Sequence, residues 1–579
     1  MTTDYNAART AFRWTVPARF NIAAAACDRW ADGSGRLALI FEDENGSATR
    51  LDFDRLKAAS SRLANVFSRL GLARGDRIAV LLAQSPETGI AHLAAYRAGA
   101  IAVPLFALFG PDALQYRLAD SGARILVTDA AGYDKIAPLL AELPALAAVL
   151  IRGPMPPGPA PEPTPPAAPG RHGVLLADLA AAMAAESPDF TPVDTAADDP
   201  ALIIYTSGTT GKPKGVLHAH RVLLGHLPGV EMSHGRFPLP GDLIWTPADW
   251  AWIGGLLDVL LPAWYHGVPV LARRFAKFDA EAAFDLMSRH RVTCTFLPPT
   301  ALRMLRLIEQ PRDRWPLALR SIASGGEPLG AALLAWGEQA LGLTLHEFYG
   351  QTECNMIVSA CAPLFSTPPG AIGRAVPGHD VRIVDEGGTE CPRGTIGQIA
   401  VRTRVADGTP DGAPDPVMFL NYWNKPEATR EKFIGDPTGN IDDPVGSAAG
   451  RAAGAWLVTG DTGTMDADGA IRFVGRDDDV ITSAGYRIGP GPIEDCLLTH
   501  PAVREAAVIG VPDPERTEVV KAFVVLRPGF TAGDALVREL QDHVRTRLAA
   551  HEYPRRVAFI DALPVTTTGK IVRKALRDR

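Results

Sequence analysis

The sequence predicts an α/β protein, and three observations carry that expectation. Short β-branched runs recur between segments of helical periodicity. The chain has 579 residues, enough for several units or for a large enzyme with a small appendage. Apolar residues make up 47% and charged residues 21%, which supplies a large core. A lone binding module and global disorder are both excluded.

Taken in order, residues 54–70 place apolar side chains at helical spacing, Gly71 stops the helix, and RIAVLL at 77–82 reads as a buried strand. The runs at 125–128 (ILVT), 201–205 (ALIIY), 268–271 (VPVL) and 292–297 repeat this punctuation, with helix-like stretches between them. Largely parallel sheets covered by helices are therefore expected. Residues 153–170 (GPMPPGPAPEPTPPAAPG) are too rich in Pro, Gly and Ala to pack a core or sustain a ladder, so they predict an exposed loop, as do residues 440–454. The run GRDDD at 475–479 joins turn formers to like charges and precedes fresh elements: strands at 506–511, 520–526 and 556–560 and a helix over 535–549. The expected division is thus 1–477 and 478–579.

The balance of 58 Lys+Arg against 65 Asp+Glu gives a net charge of −7, no basic field for nucleic acid. Six cysteines are scattered without a CxxC pair or a His-linked spacing, which predicts reduced, buried thiols and no zinc. The N-terminal segment lacks an apolar h-region, and no apolar stretch reaches about 18 residues, so no transmembrane segment and a cytoplasmic location are expected. An oligomer is compatible with the sequence.

Residues 206–215 read TSGTTGKPKG directly after the strand-like ALIIY. Unhindered glycine amides, hydroxyls and two ammonium groups at a strand exit can converge on one anion, the chemistry of a phosphate loop. It is not the Walker arrangement, because only two residues separate Gly208 from Gly211 and Pro213 follows Lys212.

Further motifs follow in order: GGEP at 325–328, YGQTE at 349–353, TGD at 459–461, GRDDD at 475–479, AGYRI at 484–488 and PVTTTGK at 564–570. Together they resemble the AMP-forming adenylating superfamily of acyl-CoA synthetases, luciferases and peptide-synthetase adenylation domains, over nearly the whole chain. The wording ITSAGYRIGPGPIE, VVKAFVV, YPRRVAFI and TTTGKIVRKALRD is most similar to the medium-chain acyl-CoA synthetase branch. Thr482 and Val565 depart from many relatives at peripheral positions.

The resemblance implies a large multi-sheet N-terminal adenylating domain and a small mobile α/β C-terminal domain. It also implies an acid:CoA ligase using ATP, Mg²⁺ and CoA. A carboxylate is a poor electrophile, so it attacks the α-phosphorus of ATP, releases pyrophosphate, and a thiol then displaces AMP. Such chemistry rests on positioning and charge neutralisation and needs no protein nucleophile. On the same resemblance Thr206, Ser207, Gly208, Thr209, Thr210 and Lys214 hold the β- and γ-phosphates, Thr352 bonds the α-phosphate, and Glu353 helps hold Mg²⁺. Tyr349, Gly350 and Gln351 complete that strip, Gly326, Glu327 and Pro328 flank adenine, Asp461 accepts from the ribose hydroxyls, and Arg476 contacts the ribose. Lys570 neutralises charge during adenylation, and its acylation would switch the enzyme off by removing that charge. Asp478 is the hinge, Arg487 approaches the AMP phosphate in the thioester-forming pose, and Gly485 and Tyr486 border the pantetheine tunnel.

For the acid, short-acid synthetases close the pocket floor with a Trp where this chain has Gly350. Gly350, Gly325 and Gly254 are expected to leave room, Trp252 and Ile253 to line the wall, and Trp250 to narrow the entrance. Medium-chain fatty acids are preferred over benzoate-like acids. A ligase for short or branched acids, and one loading a carrier protein, remain alternatives. No GxDS-like carrier site follows the last domain in this sequence, so CoA is the simpler acceptor. A catalytically dead acyl or nucleotide sensor is disfavoured by the intact Glu353, Asp461, Arg476 and Lys570.

Overall fold

The run at 77–82 folds as the strand Arg77–Leu81, buried at nearly every position because strands flank it on both sides. The computed structural model describes residues 4–155, 173–206, 212–405, 413–434, 455–476, 479–483, 486–513, 516–548, 552–565 and 571–577. Most of the loop predicted over 153–170, and all of that over 440–454, lie outside these residues.

Among the described residues Arg77–Leu81 belongs to an eight-stranded sheet. Ile101–Pro104, Ile125–Asp129, Ala148–Arg152, Leu175–Asp178 and Pro200–Thr206 join it in parallel, as continuous apolar runs predict. Lys214–Ala219 and Asn421–Tyr422 extend the edge antiparallel. The helix expected over 54–70 is Phe53–Arg69, capped by the Asp52 carboxylate accepting from the Arg55 amide at 2.7 Å and closed at Gly71, whose φ is 73°. Its buried Phe53, Leu56, Ser60, Leu63, Ala64 and Phe67 keep the three-to-four spacing.

Among the described residues a second sheet of fourteen strands has two characters. Leu37–Glu42, Val270–Ala272, Ile244–Trp245, Cys294–Phe296, Ser321–Gly325 and Leu345–Gln351 run parallel. From Leu345–Gln351 onward it turns antiparallel, through Cys354–Ser359, Gly373–Ala375, Ala470–Arg476, Trp456–Met465, Gly397–Arg402 and Val381–Val384. The expectation of largely parallel sheets fails here: the short turns after Gln351 and after Met465 can only reverse the strand, and the remaining neighbours also pair antiparallel. Between the two sheets lies the main core, where Phe67, Tyr96, Trp250 and Trp264 are fully buried. Trp250 is thus core packing and does not narrow an entrance.

Residues beyond 480 make their own five-stranded sheet from Tyr486–Ile488, Ile481–Ser483, Thr517–Leu526, Val503–Asp513 and Arg556–Phe559. Among its described strands only Arg556–Phe559 pairs parallel, after the helix Asp534–Arg547 has supplied the crossover. Its core is separate, built on Ile493, Leu497, Val508, Val524, Leu540 and Val544.

No disulfide forms: Cys27, Cys294, Cys354, Cys361 and Cys496 are buried, and Cys391 is half-buried. Among the described residues no cluster of His, Cys, Asp or Glu could hold a metal by itself, and no helix is long and apolar enough to cross a membrane.

Candidate active site

Thr352 and Glu353 are the whole connection between the antiparallel strands Leu345–Gln351 and Cys354–Ser359, since Gln351 pairs directly with Cys354. A two-residue hairpin loop leaves its residues off the ladder and points them away from the sheet end. The register slips between Tyr349 and Gln351, so Gly350 sits at a bulge. This bulge explains the glycine. A Cβ there would meet the backbone of Met356, and would lie 2.6 Å from the Asn355 Cα. Gly325 is backed likewise by the Phe348 ring at 2.6 Å, and Gly254 by the Phe296 ring at 2.9 Å. The Cβ direction at Gly350 and Gly325 is therefore filled by the protein's own backbone and rings. Among the other wall residues, Trp252 is half-buried against Phe106 and Phe109, with ring centroids at 5.5 and 5.9 Å, and Ile253 follows it in the chain.

Glu353 is 7% exposed, and its carboxylate accepts from the Tyr422 hydroxyl. Tyr422 reaches it from the other large sheet, where it pairs with Val216 on the Lys214–Ala219 strand. Lys214 is diagonal to it on that pair, and its ammonium lies 4.9 Å from the Tyr422 ring centroid. Thr206 and Lys214 are register partners at the open end of the Pro200–Thr206 hairpin, so the phosphate-loop motif leaves and re-enters the sheet beside Glu353. Tyr116 fixes the exit by donating to the Pro213 carbonyl at 3.0 Å, and Lys212 lies over its ring at 5.4 Å. Ser207, Gly208, Thr209 and Thr210 lie outside the described residues.

Asp461 and Arg476 are cross-strand partners on Trp456–Met465 and Ala470–Arg476, with Arg476 Nη1 3.4 Å from Asp461 Oδ1. Asp461 is 5% exposed, and its Oδ2 accepts from the Tyr349 hydroxyl at 2.5 Å and from Gln351 Nε2 at 2.9 Å. Oδ1 has that ion pair but no hydrogen bond among the described residues. Burial pushes the Asp461 pKa up, while Arg476, Tyr349 and Gln351 pull it down. Burial also raises that of Tyr349, which keeps the phenol a donor. The free acceptor is suited to a ligand hydroxyl, because leaving it unmatched costs about 1–3 kcal/mol.

The GGEP strip follows the strand Ser321–Gly325, with Gly326 and Pro328 exposed and the Glu327 carboxylate 3.1 Å from Arg303. Tyr486 and Arg487 lie in the strand Tyr486–Ile488, opposite Ile481–Ser483. Asp478, Gly485 and Lys570 fall outside the described residues, although Val565 and Ile571 form a bridge that holds together the ends of the segment carrying Lys570.

Several residues here escaped the sequence reading. Tyr422 is one; Lys432 is another, donating through Nζ to Gln351 Oε1 and to the Val458 and Thr459 carbonyls, each at 3.1 Å. His218 is a third: it is buried, the Thr352 backbone lies against it, and burial pushes its pKa down to about 3. None stands in a contiguous motif that would have pointed to it.

The donor set fits a magnesium ion arriving with a nucleotide. One carboxylate, Glu353, follows Thr352 in the same turn and is linked through Tyr422 to Lys214, and Mg²⁺ is commonly held by one or two carboxylates with waters and substrate phosphates.

Residues 27–407 match the AMP-binding enzyme family, and residues 492–570 match the AMP-binding enzyme C-terminal domain. The chain is 34% identical to the human mitochondrial acyl-coenzyme A synthetase ACSM4, covering 97% of this chain and 91% of the relative. An acyl-CoA synthetase of Brucella canis superposes with a TM-score of 0.70 at 35% identity, covering 99% of this chain and 98% of the other. A benzoate CoA ligase of Burkholderia xenovorans LB400 gives a TM-score of 0.76 at 26% identity, covering 96% of this chain and 100% of the other. The family match over 27–407 and the likeness over nearly the full length agree with the motif order: the chain belongs to the AMP-binding enzyme family, among its adenylate-forming acyl-CoA synthetases.

Proposed function

We propose that this protein is an ATP-dependent acid:CoA ligase acting on medium-chain fatty acids through an acyl-adenylate. The observation that carries the nucleotide chemistry is the buried Asp461 Oδ1, which has no hydrogen-bond donor among the described residues, beside Arg476 and aligned through Gln351 with the Thr352–Glu353 hairpin. The ribose hydroxyls donate to that oxygen and fix the nucleoside. Thr352 then donates to the α-phosphate, while Lys214 and the loop amides hold the β- and γ-phosphates. Glu353, oriented by Tyr422, would hold Mg²⁺, which neutralises phosphate charge. The acid's carboxylate attacks the α-phosphorus, pyrophosphate leaves, and the CoA thiolate displaces AMP from the acyl carbon.

In this reading Lys570 supplies a cation during adenylation, and its acylation is a means of control. Glu327 turns toward Arg303, leaving the backbone of Gly326 and Pro328 to flank adenine. Tyr486, Gly485 and Arg487 serve the thioester step. The boundary at 477/478 and a hinge at Asp478 are supported by their neighbours. Arg476 is tied to Asp461, whereas the Asp479 carboxylate pairs with Arg577 at 2.7 Å and Arg573 at 3.5 Å on the terminal helix. Rotation between positions 476 and 479 would therefore turn one anchored body against another.

Medium-chain acids are favoured by the resemblance of the C-terminal motifs to the medium-chain branch and by the apolar wall of Trp252, Phe106 and Phe109. Acid-dependent exchange of pyrophosphate into ATP is expected to be fastest with hexanoate to decanoate. Acetate should be slower by at least the roughly 10–200-fold that pockets achieve per methylene. The benzoate CoA ligase neighbour supports an aromatic acid as the second reading, and exchange faster with benzoate than with octanoate would choose it.

A further inference from the structure

Behind the Thr352–Glu353 turn three buried polar side chains meet at one oxygen. Asn355 Nδ2 donates to Asp258 Oδ1 at 2.6 Å, and His226 Nδ1 lies 3.1 Å from the same oxygen. They come from the strand Cys354–Ser359, the π-helical turn Leu256–Leu260 and the helix Val222–Ser233. Asn355, Asp258 and His226 are 5%, 2% and 0% exposed.

Asp258 is costly where it stands. Its turn reads LLDVL, and Leu256, Leu257, Val259 and Leu260 all belong to the main core. Taking a carboxylate out of water there costs several kcal/mol, which a leucine would avoid. The hydrogen bonds offset that cost and also place something. Asn355 is wedged between Asp258 and the bulge: its Oδ1 lies 2.8 Å from the vacant Cβ position of Gly350. On the other side, the vacant Cβ position of Gly254 lies 3.6 Å from Asp258 Oδ2. The hairpin needs such an anchor, because its register slips before the turn and Met356, just beyond Asn355, has a φ of 55°. An interrupted ladder does not by itself fix where the turn points.

We propose that Asp258 is a positioning residue for adenylation. Its carboxylate, held by Asn355 and His226, fixes the hairpin carrying Thr352 and Glu353 against the chain segment carrying Ile253 and Gly254. Asp258 touches no reacting atom; it acts through Asn355. This role rests on the function proposed above.

The test compares Asp258→Leu, which keeps the branched four-atom shape and removes the acceptor, with Asp258→Asn, which keeps one. Both are measured by acid-dependent pyrophosphate exchange and by thermal melting. A small misplacement of catalytic groups is costly, so folded D258L is expected to lose about 10 to 100-fold in kcat, with KM for ATP and acid within about threefold of parent. D258N is expected to stay within about threefold of parent in kcat. Folded D258L with parental kcat overturns the role, as does D258N falling as far as D258L. Should D258L fail to fold, Asn355→Ala carries the same expected loss in kcat, and a parental kcat in that variant overturns the role equally. A parent protein without exchange on any acid removes the proposed function together with this role. An active parent with an unimpaired D258L removes this role alone.

Discussion

Lys570→Ala is expected to cripple acyl-adenylate formation while sparing the attack of CoA on acyl-adenylate supplied from outside. As the acid attacks the α-phosphorus, charge builds on the phosphate oxygens. Removing a preorganised cation or donor aimed at such charge typically costs about 10²–10³ in kcat. The second half-reaction begins with the acyl–phosphate anhydride already made and develops charge at the acyl carbon, so an ammonium placed for the first step contributes little to it. Holding the ends of the 566–570 segment by the Val565–Ile571 bridge suits a lysine that must be delivered as part of a body. The same body is secured through Arg573, which donates to Glu494 at 2.7 and 2.8 Å. The check is pyrophosphate exchange for the first step and single-turnover thioester formation from synthetic acyl-adenylate for the second. Equal loss in both would make Lys570 a structural residue and remove the two-pose account.

Asp461→Ala is expected to have an effect of similar size, expressed in ATP. The carboxylate joins Tyr349, Gln351 and Arg476, and Gln351 is in turn held by Lys432. Truncating one partner of a buried, hydrogen-bonded charge pair costs about 2–5 kcal/mol, here divided between lost ribose contacts and stranded donors. At 1.4 kcal/mol per tenfold, kcat/KM for ATP should fall by roughly 30 to 4,000-fold. The Michaelis constant for CoA should move little. An unchanged kcat/KM for ATP in a folded D461A would show that this acceptor does not hold the ribose.

What the sequence disclosed follows from what is contiguous in it. The TSGTTGKPKG run, the YGQTE strip, Asp461 and Arg476 each stand in a contiguous motif, and the parallel strands at 77–81 and 125–129 announced themselves as unbroken apolar runs. Tyr422, Lys432, His218 and the Asp258–Asn355 pair were not legible, because each acts through a partner far along the chain; Tyr422 meets Glu353 across 69 positions. Glycine misled in a specific way. A missing side chain at 350 or 325 reads as space in one dimension, yet a bulge and the Phe348 ring occupy that direction. Trp250, expected near the entrance, is in the core, since a lone aromatic carries no mark of which face it will take. The antiparallel half of the longer sheet was missed for want of clean alternation: Cys354–Ser359 is buried throughout and resembles a parallel strand in its residues.

The central claim is that this chain makes an acyl thioester through AMP. The most direct measurement is product stoichiometry with ATP, magnesium, octanoate and CoA, followed by chromatography of nucleotides and thioester. One AMP, one pyrophosphate and one octanoyl-CoA per acid consumed is the predicted result, with pyrophosphate exchange persisting when CoA is left out. Formation of ADP and phosphate, or thioester made without acid-dependent exchange, would contradict it.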